Sequence, residues 1–169
     1  MSGGRVAGGL RHGRLTLGAR GPVPADVAWG RYDDPGLWAG WAPHIRRVEA
    51  PPRLAAGAGG RVHGPLGVRV RFVVTAVDRP RRRWAWRVHA GPLVLRLEHG
   101  VDAGMDVGVH AGVHGAGAGT GATTGAGSRT WLVLHGPLPV LLAYAPLAWW
   151  SLRRLVTLPR LRLPAGGAR

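Results

Sequence analysis

Through the middle of the chain apolar side chains recur at every second position, the period of a strand with one buried face. Val68, Val70, Phe72 and Val74 alternate with Arg69, Arg71, Val73 and Thr75. Gly64-Pro65-Leu66-Gly67 is a turn sequence, so residues 61–63 and 68–77 are predicted to pair as a hairpin. A second hairpin is predicted about Gly91-Pro92, joining 83–90 to 93–101. Trp84, Trp86 and Val88 share one side of its first arm, and Leu93, Leu95 and Leu97 share one side of the second. Arg87, Arg96 and Glu98 face the other way, towards water. Leu15 and Leu17 predict a first strand over 14–19, 42–49 predicts another that stops at Pro51-Pro52, and 129–135 a last one that stops at Gly136-Pro137.

Helical signals occupy two places. Pro24 suits the position before a first helical turn, and Val27, Ala28 and Tyr32 follow at helical spacing. Asp33-Asp34-Pro35-Gly36 breaks that helix before a second short one holding Trp38 and Trp41. Residues 138–158 are helical in composition, interrupted by Pro139 and Pro146, with Arg153 and Arg154 near the end. Residues 103–128 are nearly all Gly, Ala, Val, His and Thr; such chain loses much entropy on ordering and buries little in return, which predicts an elongated loop. With 1–13 as a leader and 159–169 as a tail, one domain over 14–158 remains. Grouped antiparallel strands with helices set apart in sequence indicate an α+β fold, and the terminal helix is the available cover for the apolar face of the sheet.

These residues also carry a family resemblance. Pro24-Ala25-Asp26-Val27-Ala28-Trp29, then Asp34-Pro35, Trp38, Trp41-Ala42-Pro43-His44-Ile45 and Val48-Glu49, resembles the opening of SRPBCC proteins, the START-like or Bet v 1-like group that includes polyketide cyclase/dehydrase relatives. Val74-Thr75-Ala76-Val77-Asp78, Trp84-Ala85-Trp86-Arg87-Val88 and the Leu-rich arm ending in Glu98-His99 are similar to its central strands. The resemblance implies a helix-grip fold, in which a curved antiparallel sheet wraps around a long C-terminal helix and encloses an apolar cavity. The Gly/Ala-rich insertion at 103–128 departs from the family pattern.

Composition narrows the chemistry. The 169 residues contain no cysteine, which removes disulfides, thiolate metal sites and a cysteine nucleophile. The longest strongly apolar stretch, residues 138–152, includes two prolines and falls short of the ~20 residues of a bilayer span. Residues 1–20 interleave arginines with glycines and lack the apolar run of an export signal, so a cytoplasmic protein is expected. The net charge is +15, from 23 basic and 8 acidic residues, which ordinarily points to nucleic acid or an anionic membrane. All the basic residues are Arg, however, with no Lys, Asn or Gln, the bias of a GC-rich genome, and they are scattered along the chain. Nucleic acid is therefore not the expected partner, while peripheral membrane contact through Arg153 and Arg154 stays open.

Strand parity names the candidate site. If Leu93, Leu95 and Leu97 point inward, so does His99, set opposite Trp84. An imidazole there would be desolvated and biased towards neutral, able to exchange a proton, to hold a ligand's hydroxyl or carbonyl, or simply to bond backbone or water at a strand end. Trp41 and His44 are expected at the cavity mouth, as a gate or as a plug between helix and sheet. Trp86, Trp131 and Tyr144 are expected to line the pocket or fill the core. Parity leaves Trp131 open, since Arg129, Trp131 and Val133 share one face and Leu132 and Leu134 the other. His110 and His114 stand four apart, but Gly108, Gly112 and Gly115 argue against the helix that a zinc pair needs, so neither metal nor cofactor is expected. Ser2, Ser128 and Ser151 are the only serines and none sits in a nucleophile elbow. The favoured function is binding of an apolar small molecule such as a polyketide, lipid or aromatic metabolite. The alternatives are a cyclase/dehydrase-type enzyme with His99 as acid or base, and a basic surface on an anionic membrane. The sequence gives no indication of oligomeric state.

Overall fold

The computed structural model describes residues 12–104 and 127–158. Most of the predicted leader, most of the 103–128 loop with His110 and His114, and the tail lie outside the described residues. Seven strands form one antiparallel sheet: β1 (His12–Gly21), β2 (Arg47–Glu49), β3 (Gly59–His63), β4 (Arg69–Asp78), β5 (Arg83–Ala90), β6 (Leu93–Ala103) and β7 (Ser128–Pro137). Their spatial order is β1-β7-β6-β5-β4-β3-β2, so the chain meanders from β2 to β7 and β1 joins the far edge. Two short helices, α1 (Ala25–Asp33) and α2 (Trp38–Trp41), follow β1, and α3 (Leu138–Thr157) ends the described chain. The sheet is open and curved and holds α3 against its concave side, the helix-grip architecture that the resemblance implied.

Both predicted hairpins form, with longer arms in places. β3 pairs with β4 and β5 with β6, the latter in a register that sets Trp84 opposite His99 and Trp86 opposite Leu97. Alternation in β4 holds as far as Val74, where the register against β5 shifts between Val74 and Ala76, so Val77 rather than Ala76 pairs with Trp84. A bulge of this kind bends its strand and adds curvature. The predicted strand over 42–49 shortens to three residues, because Ala42 caps α2, Pro43 comes next, and the chain turns through His44 before it can pair.

Predicted interruptions of α3 are absent. Pro139 lies in the first turn, where no N–H is needed, and Pro146 lies on the exposed side inside one continuous helix of 20 residues. Leu141, Ala148, Leu152, Leu155 and Val156 form its buried face. That face packs chiefly against β1 and β7, one flank of the sheet. Among the described residues no helix is long and apolar enough to cross a membrane.

The end of α3 is fastened by a residue that periodicity does not reveal. Arg31 of α1 is 4% exposed and its guanidinium donates to the carbonyl oxygens of Leu155 and Leu158, groups that the helix leaves without internal partners. Burial lowers its pKa from the usual value, yet a guanidinium stays charged at any ordinary pH. It thus neutralises the negative end of the α3 dipole while tying α1 to it. Arg31→Met keeps the aliphatic stem and strands those carbonyls; a loss of about 2 to 3 kcal/mol in unfolding free energy is expected by urea titration. A variant as stable as the parent would show that the clamp contributes nothing.

Candidate functional site

The concave face divides into a filled end and an empty end. At the filled end Trp38, Trp84, Trp86 and Phe72 interlock, with neighbouring ring centroids 5.2–5.7 Å apart. Tyr32 joins them from α1, 5.4 Å from Trp41 and 5.7 Å from Trp84. Only a space of about 30 Å³ is left here, bordered by Trp41, Trp84, His99 and Leu132, room for about one water molecule. Trp84 Nε1 has no partner among the described residues, and Trp84 is one of the residues bordering this space.

His99 is 6% exposed in this cluster and stacks on Trp84 at 4.5 Å with the planes 12° apart. The Trp86 indole N–H donates to its Nε2 at 3.0 Å. Since an indole nitrogen only donates, the ring proton of His99 sits on Nδ1, which faces the Tyr32 hydroxyl at 3.4 Å. Tyr32 in turn donates to Thr130 Oγ1 at 2.9 Å, and Thr130 donates to the carbonyl oxygen of Gly100 at 3.1 Å. Every member of this chain is buried, and every proton has one direction to point. Desolvation pushes the His99 imidazole down to about 3 and the Tyr32 phenol up, so both are neutral through the whole physiological range.

Away from the aromatic cluster the sheet and the N-terminal half of α3 separate around a cavity of about 340 Å³. Val62, Val70, Val88, Leu95 and Leu97 form its sheet wall, Tyr144 and Leu147 its helix wall, and Pro65 and Val68 its rim. His44, held by the turn after α2, supplies the polar spot together with Tyr144. Ser151 donates to the carbonyl oxygen of Leu147 at 2.9 Å, so its oxygen accepts from His44 Nδ1 at 3.3 Å, and His44 Nε2 accepts from the Tyr144 hydroxyl at 3.0 Å. Burial pushes the His44 imidazole down to about 4 and the Tyr144 phenol up. The wall of the cavity therefore carries no formal charge.

Five of the residues singled out from sequence, His44, Trp86, Leu95, Leu97 and Tyr144, meet at this cavity. Trp41, Trp84 and His99 lie deeper, around the small inner space. Trp131 requires a correction: it stands on the opposite, outer face of the sheet. Its ring lies over Gly100, where any Cβ would fall inside the indole, and the Arg83 guanidinium stacks 4.7 Å from its centroid. Leu132 and Leu134 take the inward positions instead. The Gly opposite Trp131 in register is the signal that would have assigned it, because a cross-strand glycine offers a bare surface for an aromatic ring. Ser151, Tyr32 and Thr130 were missed as polar partners, since nothing in local spacing links His44 to Ser151, 107 residues on, His99 to Tyr32, 67 residues back, or Tyr32 to Thr130, 98 residues on.

Residues 15–134 match the family model described as "Polyketide cyclase / dehydrase and lipid transport". Among solved structures, the crystal structure of Ara h 8.0201 superimposes with a TM-score of 0.57 at 12% identity, covering 86% of this chain and 95% of that one, a likeness of fold. No curated protein matches the chain by sequence.

The two neutral imidazoles make stability depend on pH. Each has a folded pKa far below 6.5, so between about pH 6.5 and 4 the unfolded chain binds protons that the native chain refuses. Stability is then complete above that window and falls as the pH drops through it, by up to ~1.4 kcal/mol per pH unit for each ring. Urea titrations at about pH 7 and about pH 5 should differ accordingly, and His99→Gln should remove roughly half of the difference. Equal unfolding free energies at the two pH values would mean that neither ring is held neutral.

Proposed function

The chain belongs to the polyketide cyclase/dehydrase and lipid transport family, and from that premise we propose that it binds one apolar small molecule in the cavity between the sheet and the first half of α3. The carrying observation is the 340 Å³ space itself, at the lower end of the ~300–1,000 Å³ typical of small-molecule sites. Valine and leucine walls favour a hydrocarbon body such as a polyketide, lipid or aromatic metabolite. The Tyr144 hydroxyl, already donating to His44, keeps a lone pair that a single hydroxyl on the ligand can use. An anionic ligand is disfavoured, because among the described residues no cation lines the space to repay its desolvation.

Binding is placed ahead of turnover for a chemical reason. A cyclase or dehydrase needs a group that gives or takes a proton at the substrate. Both nitrogens of His99 are engaged inside the cluster, and its pKa near 3 leaves it a poor base at neutral pH. His99 is therefore assigned a supporting role in the cluster and not a catalytic one. The neutral fluorophore N-phenyl-1-naphthylamine reports on the site directly. Leu95→Trp fills the cavity and should weaken its binding at least about tenfold, whereas His99→Gln should leave the affinity within about twofold. Undiminished binding to a folded Leu95→Trp variant would move the ligand elsewhere.

A second reading concerns the exposed side of α3. Leu142, Trp149 and Trp150 are 58%, 43% and 51% exposed, and Arg153 and Arg154 stack 5.0 and 6.0 Å from the two tryptophan rings. Aromatic rings backed by arginine suit the headgroup region of an anionic bilayer. Trp149→Ala with Trp150→Ala should lower partitioning into vesicles containing phosphatidylglycerol by about tenfold in a flotation assay, and unchanged flotation would discard this reading.

A further inference from the structure

The scattered arginines of the sequence are gathered by strand alternation onto one surface. Because Val62, Val70, Phe72, Val88, Leu97 and Leu134 point into the core, the intervening positions of the same strands all point outward. In the resulting register Arg87 lies directly opposite Arg96, Arg20 opposite Arg129, and Arg61 opposite Arg71. Arg14, His135, Arg96 and Arg87 form an unbroken row across four neighbouring strands. At ~4.8 Å per strand this row is roughly 14 Å long.

Like charges placed directly opposite each other on a sheet cost stability, and the carboxylates of this face do not compensate. Glu49 is taken by Arg47, Arg61 and His63, and Asp102 by Arg83, while Glu98 lies 3.5 Å from His135, a pair that is ionic only when the imidazole is protonated. Among the described residues no carboxylate lies within ion-pair distance of Arg14, Arg87 or Arg96, and all three side chains are exposed. At the opposite end of the molecule the pattern reverses: Arg79 and Arg53 meet Asp33, Arg81 meets Asp78, and Arg82 meets Asp26. Within the sheet the unpaired arginines are thus sided, and they sit on the face remote from the ligand cavity.

We propose that this outer face binds the phosphodiester backbone of nucleic acid without reading its sequence. A row of cations across several strands fits an extended polyanion better than a single phosphate. The face carries one aromatic ring, Trp131, which lies over Gly100 with the Arg83 guanidinium stacked on it, and its large exposed apolar residues are Val73 and Val94, so it offers little for a bilayer contact to insert. Reading the sequence of a duplex requires an element that enters a groove, and this row of arginines on a broad sheet surface presents none. Guanidinium groups on a rigid lattice supply charge and hydrogen bonds to phosphate oxygens.

The test uses the full chain and fluorescence anisotropy with labelled random-sequence duplex DNA of about 20 base pairs and single strands of about 20 nucleotides, from about 50 to 200 mM salt. The variant Arg14→Gln/Arg87→Gln/Arg96→Gln should reduce the slope of log affinity against log salt by roughly 3 for duplex and 2 for single strands, with at least a tenfold loss of affinity at the lowest salt. Arg53→Gln/Arg81→Gln/Arg82→Gln, which has the same net charge and an intact outer face, should bind as the parent does. Equal losses in both variants would assign the binding to net charge and overturn the proposal, as would the absence of salt-dependent binding by the parent. Loss of binding to phosphatidylglycerol vesicles without loss of nucleic-acid binding would give the face to a membrane and overturn it too. Relieving like-charge pairs should leave the melting temperature unchanged or raise it. If the triple variant fails to fold, Arg96→Gln alone must lower the duplex slope by about 1, and an unchanged slope overturns the proposal.

Discussion

One helix cannot cover a seven-stranded sheet. Six interstrand spacings of ~4.8 Å make a surface roughly 29 Å wide, whereas a helix with its side chains is only ~10 Å across and one of 20 residues is ~30 Å long. Because α3 lies along β1 and β7, the concave surface of the remaining strands must be filled by something else or left open. Both solutions occur here. The short helices deliver Tyr32, Trp38 and Trp41 to one end, where large rings fill the space, and among the described residues nothing of comparable bulk reaches the other end. The cavity is what geometry leaves over, which explains why its walls are the same valines and leucines that elsewhere would be core.

That economy makes the buried polar groups demanding. An interior dry enough to hold His99 and His44 neutral penalises every unmatched N–H or O–H, so each ring sits in a chain of partners that ends on a backbone carbonyl, Gly100 in one case and Leu147 in the other. The chains also join elements that share few other contacts. One ties α1 to β5, β6 and β7; the other ties the turn after α2 to α3. Arg31 adds a third tie of the same type, from α1 to the last turn of α3.

What was legible in the sequence follows from the range of each physical signal. A period of two repeated over several residues fixes which side chains turn inward, so the pairing of Trp84 with His99 and the inward course of Leu95 and Leu97 could be read directly. The same argument failed at Trp131 because both faces of β7 carry bulky residues, and only the glycine on the neighbouring strand breaks the tie. Pro139 and Pro146 read as breaks because the propensity of a residue carries no information about whether its neighbours lie on an exposed side. The sidedness of the charge was not legible in the sequence. Counting arginines along a line showed dispersion, but folding a line into a pleated sheet sorts odd positions from even ones, and the arginines fell on the same side.

The chain from Tyr144 through His44 and Ser151 to the Leu147 carbonyl has one property that its static description hides. In the other neutral tautomer, reached when Nδ1 gives up its proton and Nε2 takes one up in exchange with solvent, the Ser151 hydroxyl turns from the Leu147 carbonyl to donate to Nδ1, Nε2–H donates to the Tyr144 oxygen, and Tyr144 is freed to present its own proton to the pocket. No ion is created and no side chain has to leave its place. The same point of the wall can therefore offer either an acceptor or a donor, as the polarity of a three-residue wire reverses.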